Sequence, residues 1–104
     1  MPKALLLALA IELPALVDED VLEPSIQNEV DHAISRAPED VAPYTNSAER
    51  AYLEIFPAST NAPFAATSKT DVAIKTVSAQ KADGRWLSGT NDVTAAAIFL
   101  LESL

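Results

Sequence analysis

All seven prolines of this 104-residue chain lie at or before Pro63, and both glycines, Gly84 and Gly89, come after it. A proline removes a backbone donor, clashes with the preceding helical turn and pushes its predecessor out of the helical region. Helices in the first half must therefore fit between Pro2, Pro14, Pro24, Pro38, Pro43, Pro57 and Pro63. A proline is acceptable only in a helix's first turn, where its missing N–H would have had no intrahelical partner.

The first interval holds Ala4–Val17, ALLLALAIELPALV, whose only formal charge is Glu12. Lys3 followed by eight apolar residues imitates an export signal, but Glu12 and Pro14 interrupt it ahead of a normal cleavage site. A membrane span needs about 20 apolar residues, and Glu12 with Asp18-Glu19-Asp20 forbids one. A packed element remains. Leu5, Leu7, Leu9, Ile11 and Leu13 alternate as in a strand, whereas Leu5, Leu6, Leu9, Leu13 and Leu16 share a helical face. Alanine and leucine favour the helix, which is expected over residues 3–13.

The second interval carries the clearest amphipathic period: Leu22, Ile26, Val30, Ala33, Ile34 and Ala37 recur at steps of three and four. With Asp18-Glu19-Asp20 suited to a helix N-terminus and Pro24 in the first turns, the expected helix spans 19–36 and ends before Pro38. Residues 38–46, PEDVAPYTN, read as a surface connection. Asn46 and Glu49 have the spacing of an N-cap and its N3 partner, which opens a helix over 47–56 that stops at Pro57. Residues 57–70, PASTNAPFAATSKT, read as a long loop or an arm lying on another subunit.

Beyond that loop the local grammar changes. Asp71–Ala79, DVAIKTVSA, is rich in β-branched residues with partial alternation, and Asp83-Gly84 can turn the chain back through Arg85-Trp86-Leu87-Ser88. The expected hairpin pairs 71–79 with 85–88. Thr90-Asn91-Asp92 then offers N-cap residues for a last helix over 91–103 that is apolar on nearly every side, and such a helix is buried in a core or an interface. The expectation is one small domain over 1–104, α+β and predominantly helical, with about four helices and one hairpin.

Charge bounds the function. The formal net charge is −8; residues 1–54 hold eleven acids and three bases, and residues 55–104 hold four of each. Direct binding of a phosphate backbone needs clustered Lys and Arg, so nucleic acid is not an expected partner. With no cysteine there is neither a disulfide nor a thiolate zinc site, which fits a reducing, cytoplasmic compartment. Two glycines are too few for a Walker loop or a Rossmann fingerprint, and no Gly-x-Ser-x-Gly occurs. His32 is the only histidine. With Glu29 it forms one Glu-x-x-His, where a di-iron bundle needs two and further glutamates. Its neighbour Asp31 cannot orient it, because adjacent helical residues do not face each other. No metal, cofactor or catalytic set is expected.

The partner-binding candidates are the acids Asp18, Glu19, Asp20, Glu39 and Asp40 and the aromatics Phe64 and Trp86; Tyr44 and Phe56 also flank irregular segments. Aromatics in such places are enriched in binding hot spots. An acidic helix start, a proline-bearing connection and an apolar final helix together resemble the order of elements in small adaptor subunits of phage particles. The likeness is of arrangement, without a motif; the reading below rests on the missing catalytic constellation, the two unusually apolar terminal segments and a long loop suited to lying on a neighbour. The expected role is a non-catalytic protein–protein interaction or assembly subunit working as a homo-oligomer or in a multi-chain assembly. The alternatives are an acidic, antitoxin-like inhibitor of a basic partner and a small enzyme using His32.

Overall fold

The computed structural model describes residues 21–61 and 64–104. The expected helix over 3–13 and the acids Asp18, Glu19 and Asp20 lie outside the described residues. Within them the chain is predominantly helical α+β, with four α-helices and a two-stranded antiparallel hairpin.

Helix α1 runs Pro24–Arg36 with proline in its first turn. It starts later than the expected residue 19, and residues 21–23 are not helical. Pro24 thus stands where a fixed φ and a missing donor cost least. Val30 and Ala33 are buried, with Leu22 buried ahead of the helix and Ile26 and Ile34 packed beside them, so the period read from the sequence is the core face. Ala37 is extended (φ −69°, ψ 147°), as a residue before proline must be.

Helix α2 is Ala48–Ile55 and buries Ala51, Tyr52 and Ile55. Its cap is Ser47, one residue later than expected: the Ser47 hydroxyl accepts from the Arg50 N–H, while Asn46 Oδ1 accepts from the Ser47 N–H. The segment expected to be a long loop contains 3₁₀ turns at Pro57–Asn61 and Phe64–Ala66.

Residues 71–79 are not a strand. Helix α3 occupies Lys69–Ser78, with the Ser68 hydroxyl accepting from the Asp71 N–H. Ser68-x-x-Asp71 is a capping spacing that also places an acid in the first turn. Val72, Ala73 and Thr76 are buried while Ile74 is exposed. A strand would have put Val72, Ile74 and Thr76 on one face. β-branched residues cost a helix only some tenths of a kcal/mol each, so burial of one stripe overrides their preference.

The hairpin lies further on. Strands β1 (Leu87–Ser88) and β2 (Asn91–Asp92) pair Leu87 with Asp92 and Ser88 with Asn91. The two-residue connection opens with Gly89 at φ +62°, the placement a II′ turn requires. The expected second strand is thus the first one. Asp83-Gly84 forms a different turn, closed by Gly84 N–H to Lys81 C=O and Lys81 N–H to Arg85 C=O.

Helix α4, Thr94–Ser103, starts three residues after the expected position because Asn91 and Asp92 are held in β2. Asp92 still caps it, since its Oδ1 accepts from both the backbone N–H and the hydroxyl of Thr94. Thr94, Ala96, Ala97, Leu100 and Leu101 are buried, and α4 packs most extensively on α2, with α1 against α3.

Trp86 joins these layers. It is 1% exposed; its indole N–H donates to Thr76 C=O at 2.6 Å, and its backbone N–H donates to the Thr94 hydroxyl at 2.8 Å. Arg85 beside it pairs with Asp92 and, at 3.2 Å, with Asp40.

The Thr94 hydrogen bonds, assisted by Arg85, hold the Asp92 carboxyl below its ordinary value of 3.8, against an opposing effect of burial. A depressed folded-state value stabilises the protein fully above the unfolded value, and this is lost as pH falls through the folded one. Urea midpoints should therefore decline in acid from about pH 4 downward. In Asp92→Asn the midpoint at neutral pH should be lower and the acid decline shallower. Parallel acid limbs in the two proteins would refute the assignment.

Candidate functional site

Helix α4 has more apolar surface than its neighbours cover. Ala96, Ala97, Leu100 and Leu101 point into the core, and Ala95, Ile98, Phe99 and Glu102 form a second stripe at i, i+3, i+4 and i+7. Ala95, Ile98 and Phe99 are only half-buried. Opposite them runs the connection Val41-Ala42-Pro43-Tyr44, which leaves an open groove of about 260 Å³. The rings of Tyr44 and Phe99 meet at 5.5 Å between centroids, tilted by 57°.

Tyr44 supplies the polar handle. Its hydroxyl is buried and makes no well-formed hydrogen bond among the described residues, although Glu54 and Asn46 lie near it. Burial, followed by the adjacent Glu54 carboxylate, raises the phenol above its ordinary value, with Arg50 opposing. It is therefore a neutral donor at the edge of an apolar groove. Aromatic side chains with one polar end suit interfaces for this reason.

The residues singled out from sequence are distributed differently. Glu39 and Asp40 sit in the turn after α1; Glu39 is exposed, and Asp40 accepts from Arg85 at 3.2 and 3.3 Å. Phe64 and Trp86 are core residues, which corrects their placement on a binding surface. Phe64 is 5% exposed and meets the Tyr52 ring at 5.3 Å, tilted by 55°, and Tyr52 meets Phe56 at 5.1 Å, with the Lys75 ammonium 4.4 Å above the Phe56 ring. A large apolar ring inside a polar segment is drawn to the nearest apolar cluster. His32 lies exposed on α1 beside Glu29 and Arg36, and among the described residues no group of His, Cys, Asp or Glu could hold a metal ion. No helix among the described residues is long and apolar enough to cross a membrane.

Sequence reading flagged Tyr44 but missed its partners Ile98 and Phe99. The signal was present: a helix apolar on two opposed stripes in so small a chain cannot hide both. Comparison of the chain with protein-family models, curated proteins and solved structures yields no match.

Proposed function

We propose that this chain is a non-catalytic protein–protein interaction or assembly subunit, and that the half-covered stripe of α4 is its contact surface. The observation that carries the reading is the groove between Tyr44 and Phe99. It presents apolar side chains at i, i+3 and i+4, the pattern by which helices dock on partners. The self-assembling form of this role predicts a mass above the 11.1 kDa monomer in sedimentation equilibrium at high micromolar concentration. Phe99→Asp should return it to a monomer, because a carboxylate in a closed apolar contact has no partner. A compact wild-type monomer at that concentration would sink self-assembly.

An acidic binder of a basic partner is the second reading. It is favoured by exposed Glu23, Glu29, Asp31 and Glu39; among the described residues, the ion pairs all use Arg85. Its mark would be capture of a basic protein that fades as salt rises.

A further inference from the structure

The connection between α1 and α2 is held to the body by side chains. Among the described residues, no backbone–backbone hydrogen bond involves residues 38–46. Pro38 and Pro43 lack a donor, and Ala42, Pro43, Thr45 and Asn46 are exposed, so water satisfies most of this backbone. Two side-chain contacts tie it down. Asp40 accepts from Arg85, beside the hairpin, at 3.2 and 3.3 Å, and the Tyr44 ring lies on Phe99 of α4 at 5.5 Å. We propose that residues 38–46 are a strap over α4, latched by the Arg85–Asp40 ion pair. Releasing the latch swings Tyr44 off Phe99 and uncovers the stripe of Ala95, Ile98 and Phe99.

The two halves of the latch are unequal. Arg85 is the fixed post. Its other terminal nitrogen donates to Asp92, whose second carboxyl oxygen is held by the backbone N–H and hydroxyl of Thr94 at the start of α4. The Arg85 side chain is 31% exposed and that of Asp40 is 74% exposed. Asp40 is therefore the bolt, which can leave into water while Arg85 keeps Asp92. An exposed pair of this kind is weak and is screened by salt. At the other contact, the Tyr44 hydroxyl is buried without a well-formed hydrogen bond. A buried donor left unpaired costs stability, and opening returns it to water. With no backbone bonds, a weak latch and an unpaired hydroxyl four residues further on, the strap belongs among the segments that open locally at low cost.

The strap borders the groove assigned to partner contact, yet its test reads the single chain and needs no partner, so each can fail without the other. At low micromolar concentration the full-length protein is treated with tetranitromethane, an uncharged reagent that nitrates tyrosinate rings, and each tyrosine is followed by peptide mass spectrometry. Tyr44 ionises freely only with its hydroxyl out of the groove, so its rate follows the open fraction. Tyr52, 3% exposed in the core, reports global unfolding in the same sample. Asp40→Ala should nitrate Tyr44 about two- to fivefold faster than the wild type, the population change that loss of one exposed ion pair produces, with Tyr52 unmoved. Glu39→Ala removes the same charge from a neighbouring exposed residue and should leave both rates unchanged. Added salt should speed Tyr44 in the wild type and not in Asp40→Ala. An unchanged Tyr44 rate in Asp40→Ala overturns the latch, and so does a rise shared by Tyr52 or matched by Glu39→Ala.

Discussion

Trp86→Ala is expected to remove about 3–5 kcal/mol of stability, the usual cost of deleting a buried tryptophan ring. A domain of this size has about 5–15 kcal/mol to lose, so the variant should be substantially unfolded near body temperature. The ring is enclosed almost completely, and it lies where α3, α4 and the hairpin meet. Trp86→Phe separates the two contributions. It keeps most of the apolar volume and loses the bond from the indole N–H to Thr76 C=O. That carbonyl still accepts from the Ala79 N–H at 3.1 Å, so it is not left bare. The phenylalanine variant should therefore cost only about 1–2 kcal/mol, the loss of one hydrogen bond and some packing. Because Trp86 is the only tryptophan, both variants are best followed by far-UV circular dichroism in urea. If Trp86 were a surface anchor for a partner, alanine would leave the urea midpoint unchanged.

How far the fold was legible follows from which of its causes are local. The C-terminal ends of α1 and α2 were, because Pro38 and Pro57 act on their immediate neighbours, whereas the start of α1 was placed five residues too early. The burial stripe of α1 was, because a period of three and four needs no knowledge of what covers it. Helix α3 was misread because Val72, Ile74, Thr76 and Val77 suggest a strand by propensity, and the cap at Ser68 that argues otherwise is a single weak signal. The hairpin was displaced because Asp83-Gly84 and Gly89 are both competent turns and both form, but only Gly89 joins paired strands, since residues 69–78 before the first turn are helical. The candidate groove was half legible. The excess of apolar surface on α4 could be counted, but which stripe stays open depends on where the connection carrying Tyr44 runs.

Gly84→Ala should cost about 2–5 kcal/mol for a reason that its turn alone does not supply. Gly84 sits at φ +84°, where a side chain is strained by about 1–2 kcal/mol. A Cβ there would also stand 2.1 Å from the carbonyl oxygen of Arg36 and 3.0 Å from its carbon. Both are backbone atoms at the end of α1, and they have little room to yield. Ala37 is held extended before Pro38, and the Gln80 side chain ties Ala33 C=O to Gly84 C=O at 2.9 and 3.0 Å. Such overpacking adds about 1–3 kcal/mol. Gly89 provides the control within the same chain. Its φ is +62°, and a Cβ would meet nothing within 4 Å. Gly89→Ala should therefore cost only about 1 kcal/mol, backbone strain partly offset by a less flexible unfolded chain. Asparagine sharpens the comparison because it tolerates positive φ better than alanine but still brings a Cβ. At Gly89 it should be nearly neutral, and at Gly84 it should be as damaging as alanine. Urea midpoints at unchanged slope measure all four variants. If asparagine rescued position 84, the close approach to Arg36 would not be what selects glycine, and φ alone would explain it.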